Sequence, residues 1–214
     1  MDERLWIDVT APVTTGMAVW PGDPAVNINR VAEVERGDLA TVSHLDMGSH
    51  TGTHVEAPSH FLPGGLTIDE MPLEATNGKA RVIGIEDSAT VGLSELLLHD
   101  PQPGERLLFK TANSSRQWYQ EPFVEDFVAL SLEAAHLLAE RQLLMVGIDY
   151  LSVSGFHDDT SAIHTTLLKA GIWIVEGLAL QGIAPGAYEM VCLPLKLQGT
   201  EGAPARAMLR PLFS

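Results

Sequence analysis

The run His50-Thr51-Gly52-Thr53-His54-Val55-Glu56-Ala57-Pro58-Ser59-His60 sets three imidazoles and a carboxylate within a few residues of each other, in a chain of 214 residues that has only eight histidines. Ions such as zinc hold imidazole nitrogen and carboxylate oxygen at about 2.0–2.2 Å, so donors that share an ion must gather closely. Backbone shape decides whether these can. On a helix His50 and His54 would lie one turn apart on one face, but Gly52, the β-branched Thr51, Thr53 and Val55, and Pro58 all disfavour a helix. Pro58 also biases Ala57 away from helical backbone. In a straight strand His50, His54, Glu56 and His60 share a face, yet at roughly 3.3 Å per residue His50 and His54 stand about 13 Å apart, too far for one ion. The chain must therefore bend, and Gly52 is free to take the conformation that bends it. The expectation is a bent strand or loop at the rim of a sheet, gathering His50, His54 and Glu56 on one side, with His60 beyond the corner at Pro58. Any one of these histidines alone would read as a surface residue on a polar loop. All three with the carboxylate between them favour a metal site.

The same run resembles the signature of the metal-dependent cyclase family, which includes the bacterial kynurenine formamidases and carries His-x-Gly-x-His-x-Asp-x-Pro-x-His. Glu56 stands where the family usually has Asp, and the resemblance continues over nearly the full length. It implies a swivelling β/β/α fold and a centre in which His50 and His54 hold one ion, His164 a second, and Glu56 and Glu176 bridge. It further implies that His60 stays off the metal as general acid and base, and that Trp20 lines the substrate pocket, often from a neighbouring subunit. The implied reaction is attack of metal-activated water on an amide with a small acyl group, above all N-formylkynurenine. The implied cofactor is a divalent metal, zinc foremost with manganese admitted, at one or two ions per subunit. A family enzyme that opens a cyclic amide such as isatin, or a metal-dependent lyase or dehydratase, would use the same ligands. A homodimer or homotetramer is also implied.

Composition narrows the field from another side. Thirteen basic against 28 acidic residues give a formal charge of -15, which repels phosphate backbones and anionic lipid, so neither nucleic acid nor a membrane is an expected partner. With 45% hydrophobic residues and no low-complexity tract, the chain reads as one domain over residues 1–214. Its start lacks the basic and apolar regions of a secretory signal and no run reaches membrane-span length, so a cytoplasmic protein is expected. A closed structural zinc site would draw on several cysteines; the lone Cys192 in Met190-Val-Cys-Leu-Pro reads as a small buried hydrophobe.

Taken in order, Leu5 to Val9 reads as a strand and Val19 to Pro24 as a proline-fixed turn that holds Trp20 on a rigid loop. Val26–Glu33 and Thr41–Met47 read as strands, with His44 an ordinary strand residue. Thr67 to Leu73 reads as an irregular connection, Arg81–Glu86 as a strand, and Ser94–His99 as a short helix capped by Ser94. Arg106–Lys110 is too short and apolar for anything but a central strand, followed by a polar loop at Thr111–Ser115. Ser131 caps an amphipathic helix to Arg141 that leaves His136 on the surface. Leu143–Ile148 is a buried strand ending in Asp149, whose role reads as structural. Asp158 to Ser161 caps a helix over Ala162–Ala170, stopped by Gly171, and Ile172–Val175 is a strand that delivers Glu176. Tyr188–Leu197 and Ala207–Leu212 read as strands joined by a glycine-rich loop. Helices alternating with buried strands give an α/β fold, a mixed sheet packed by helices. A carboxylate such as Glu176 at the end of an apolar strand is costly unless something positive meets it, and His164, twelve residues earlier, offers the second half of a site.

Overall fold

The computed structural model describes residues 5–87 and 89–212. In chain order its strands are β1 (Ile7–Asp8), β2 (Asn27–Ala32), β3 (Val42–Asp46), β4 (His54–Glu56), β5 (Gly78–Gly84), β6 (Thr90–Val91), β7 (Arg106–Lys110), β8 (Ala129–Leu130), β9 (Met145–Ile148), β10 (Trp173–Glu176), β11 (Gly186–Pro194) and β12 (Gly202–Pro211). The α-helices are α1 (Leu73–Thr76), α2 (Leu93–His99), α3 (Leu132–Glu140) and α4 (Thr160–Lys169).

The short apolar runs become the parallel centre of one mixed sheet, in which β5, β7, β9 and β10 lie side by side. Strands buried on both faces need no alternation of apolar and polar residues, and Leu107, Leu108 and Phe109 of β7 are all fully buried. Each such side chain contributes about 1.5–3 kcal/mol relative to exposure. Leu108 packs on one side with Val82, Met145 and Val175. Leu107 and Phe109 pack on the other with Val146 and Ile174 against Leu96, Leu138 and Leu167 of the three longer helices.

The remaining strands run antiparallel and close the sheet on itself. Its order is β1-β12-β11-β5-β7-β9-β10-β4, and β4 pairs back to β12. This corrects the placement of the histidine run at a sheet rim, because β4 is hydrogen-bonded on both sides, to β10 and to β12. The closure depends on β12 starting at Gly202, inside the stretch that read as a glycine-rich loop. Val26–Glu33 and Thr41–Met47 do form strands, but β2 and β3 pair only with each other as a separate hairpin. Helix α2 begins one residue before Ser94, with Gly92 at its N-cap and no side-chain cap. The stretch after Thr67 is more ordered than expected, since Thr67 and Glu70 form a reciprocal capping box before α1. Ser131 and Asp159 cap α3 and α4 through their side chains. No described helix is long and apolar enough to cross a membrane.

Candidate metal centre

Alternation along β4 sends Val55 into the sheet interior and leaves His54 and Glu56 on the face where α4 packs. The antiparallel register places Glu176 opposite His54 and Ile174 opposite Glu56, so both carboxylates emerge on that face. Helix α4 buries Ile163, His164, Leu167 and Leu168 against the sheet, which carries the His164 ring over the two glutamates. The bend expected at Gly52 is present, with φ at 65°. A second glycine completes it. Gly177 has φ at 69° and packs so closely that a Cβ there would stand 2.2 Å from the Gly52 carbonyl oxygen. Thr53 locks this crossing, its hydroxyl donating to the Gly177 carbonyl at 2.6 Å and accepting from the Ala11 N–H at 2.8 Å.

All five expected ligand-type residues converge. His164 Nε2 lies 3.3 Å from Glu176 Oε1 and 3.4 Å from Glu56 Oε2, and His54 Nε2 lies 3.3 Å from Glu176 Oε2. His50 Nδ1 and His60 Nε2 approach Glu56 Oε1 at 3.5 and 3.6 Å. Two groups of donor atoms each fit within 4.8 Å, His54 with Glu56 and Glu176, and His50 with Glu56 and His60, while His164 belongs to neither and meets the two glutamates pairwise. That grouping divides the histidines differently from the expected partition and brings His60 as near as a ligand.

The donor chemistry fits a cation. His54 and His164 each have Nδ1 beside a backbone carbonyl, Gly52 at 3.0 Å and Thr160 at 2.8 Å. Donating there fixes the tautomer and turns the lone pair of each Nε2 toward carboxylate oxygens. Lone pairs facing anions need a proton or a metal between them. His50 Nε2, His54 Nε2 and Glu56 Oε2 are buried without a hydrogen-bond partner among the described residues, and both glutamates are almost wholly buried, a state that is costly unless charge is compensated. The titration directions record the same demand. Burial would lower His164, but the charge of Glu56 and the hydrogen bond to Glu176 outweigh it and raise the imidazole to about 9. Burial would raise Glu176, yet the hydrogen bond with His164 and the close imidazole of His54 drive it well below the carboxylate range. His50 is raised by Glu56 against its own burial, while burial keeps His60 below its ordinary value against the pull of Glu56.

His50, Glu56, His60, His164 and Glu176 line a cavity of about 230 Å³ whose walls also include Trp20, Asp23, Phe61, Leu151, Ser152 and Thr160. Trp20 is held where the two prolines put it, its ring 5.5 Å from Phe123 and 5.4 Å from Phe156. Phe61, which sequence reasoning passed over, stacks on the His164 ring at 4.5 Å; its adjacency to His60 was the available signal. Glu201, also passed over, lies 3.5 Å from His50 Nε2. Asp149 stays out of the site, accepting hydrogen bonds from Thr111 and Ser114, and burial raises its pKa. His157 is exposed beside Glu125, and Cys192 is a buried thiol pushed up to about 12 by desolvation.

A closed mixed sheet with buried imidazoles and carboxylates over an aromatic-walled cavity defines a divalent-metal enzyme. Residues 7–154 match the Cyclase family model. A kynurenine formamidase of Bacillus cereus is 34% identical over 207 residues, covering 97% of this chain and 98% of that one. Another, from Bacillus anthracis, is 32% identical over 212 residues, covering 99% and 100%. A solved structure described as a potential metal-dependent hydrolase with cyclase activity superposes with a TM-score of 0.84 at 36% identity, covering 96% of each chain. Isatin hydrolase A from Labrenzia aggregata shares the fold, with a TM-score of 0.81 at 23% identity over 96% of this chain and 93% of that one. The chain belongs to the Cyclase family.

Proposed function

We propose that this chain is a metal-dependent hydrolase of non-peptide C–N bonds, arylformamidase-like, that cleaves N-formylkynurenine to kynurenine and formate. The observation that carries the reading is the convergence of His50, His54, Glu56, His164 and Glu176, all but the buried His54 lining the cavity, with lone pairs facing buried carboxylates. These five residues would hold one or two divalent ions, with zinc the first choice for a mixed imidazole and carboxylate set and manganese the second. When bound, the ion supplies a Lewis acid that acidifies water and polarises a carbonyl. His60, partly exposed to the cavity, takes a proton from the attacking water and delivers one to the departing nitrogen. Trp20 and Phe61 present apolar surface to the aryl ring, and burial around the two glutamates keeps bulk water away from the reacting carbonyl.

A cytoplasmic homodimer or homotetramer of single-domain subunits is part of the same reading. The β2–β3 hairpin supports it, since a lone two-stranded ribbon is marginal in water and this one exposes Val31, Val42 and Leu45. The test of the activity is formate release from N-formylkynurenine by protein purified without chelator, with isatin as competing substrate. Metal-dependent formate release is expected. Turnover of isatin alone, or turnover indifferent to metal removal, contradicts the proposal.

A further inference from the structure

Two of the three ligand-type histidines have their outward nitrogen fixed by a backbone carbonyl, His54 by Gly52 and His164 by Thr160. His50 has none. Its Nδ1 faces Glu56 Oε1 at 3.5 Å and its Nε2 faces Glu201 Oε1, also at 3.5 Å. The Glu201 carboxylate is itself fixed, since the Ser49 hydroxyl donates to the same Oε1 at 2.5 Å. Gly202 lets the His50 ring lie close to the strand, because a Cβ there would stand 2.9 Å from His50 Cε1. The place of residue 201 is set by backbone, its carbonyl accepting from the Ala57 N–H at 2.8 Å.

We infer that Glu201, held by Ser49, is the positioning residue of His50: from 3.5 Å its carboxylate closes on the ring when His50 coordinates, accepting a hydrogen bond from Nε2–H and so keeping the Nδ1 lone pair toward Glu56 and the metal. The inference rests on the reading of His50 as a ligand. A neutral imidazole carries one ring proton, and the acceptor it meets decides which nitrogen is free to coordinate. A strand-borne carboxylate thus does for His50 what carbonyls do for the other two. Outer partners of this sort change metal affinity about 10–100-fold.

The test is zinc affinity of the metal-free protein by chelator competition, read beside its thermal unfolding, for wild type, His50→Ala, Glu201→Ala, Glu201→Gln and Ser49→Ala. Glu201→Ala is expected to weaken zinc binding about 10–100-fold while the metal-free melting temperature holds. Glu201→Gln, which keeps an acceptor oxygen, should fall between it and wild type, and Ser49→Ala should lose a few-fold. Wild-type affinity in Glu201→Ala, or equal loss in Glu201→Ala and Glu201→Gln, overturns the inference. If Glu201→Ala does not fold, unchanged affinity in Ser49→Ala overturns it. Wild-type affinity in His50→Ala would instead bring down the ligand reading on which it stands.

Discussion

His60 lies 3.6 Å from Glu56 Oε1, with its ring centroid 4.1 Å from that of His50, a position from which an imidazole can either coordinate or carry protons. The two roles separate on substitution. His60→Ala is expected to lower kcat about 10²–10⁴-fold, the usual contribution of a positioned acid or base, while metal content by elemental analysis stays at the wild-type level. Loss of metal together with activity would make His60 a ligand. Glu56 carries one methylene more than the aspartate common in the family signature, and it still reaches both His164 and His50 from β4. Residue types were the most legible layer of this chain, because imidazoles and carboxylates concentrated in one run have few bland explanations. Phe61 and Glu201 were less legible, since an aromatic beside a motif and an acid in a glycine-rich stretch acquire meaning only from what they touch.

At the scale of elements, the candidate metal centre depends on two backbones crossing without side chains at Gly52 and Gly177. Gly177→Ala would set a Cβ against the Gly52 carbonyl in a left-handed backbone conformation. Strain and overpacking together should cost about 3 kcal/mol, read by urea unfolding, and zinc affinity should fall with it because His54 and Glu176 flank the crossing. A second element test concerns β1, tied to β12 by the Arg206 guanidinium on Asp8. Partial burial would raise the Asp8 carboxyl, but hydrogen bonds from Arg206 and Thr10 outweigh it and hold the group below its ordinary 3.8. A carboxyl depressed in the folded state contributes stability above its unfolded value and loses it as pH falls through the folded one. Asp8→Asn should therefore lower stability by about 0.5 kcal/mol at neutral pH, the scale of an exposed ion pair. The difference should close as pH drops below 3.8. A gap in urea midpoint that persists in acid would contradict this.

Elements were legible wherever local chemistry decides them. Arg106–Lys110 is a strand over the expected residues, and Ser131 caps α3 as its hydroxyl and position predict. The misses share a cause. Ser94 reads as a cap because serine often is one, yet Gly92 takes the place; the glycine-rich stretch after Gly199 reads as loop, yet Gly202 to Arg206 is strand. Pairing with β4 and β11 overrides weak local preference there, and such pairing is tertiary information.

For the molecule as a whole, the closed sheet brings the histidine run, β10 and α4 together from positions more than a hundred residues apart, and a shared ion should stabilise the assembled state. Binding that favours the folded form contributes about 2.7 kcal/mol at a free ion concentration one hundred times Kd. For a chain of this length that corresponds to about 5–10 °C in Tm. Differential scanning calorimetry of chelated and zinc-reloaded protein should show this rise, and reloading should restore it after chelation. Closure of the sheet was not legible in the sequence. Alternation and turn chemistry specify strands one at a time, whereas the return of β4 to β12 joins residues 54–56 to 202–204, and no local pattern announces a contact of that span.

Anomalous X-ray diffraction at the zinc edge, from crystals of zinc-loaded protein, tests the convergence most directly. The account predicts anomalous density within about 2.0–2.2 Å of donor atoms drawn from both His50, His54 and Glu56 on one side and His164 and Glu176 on the other. Density bound by one of these sets alone, or no density at the cavity floor, would contradict it.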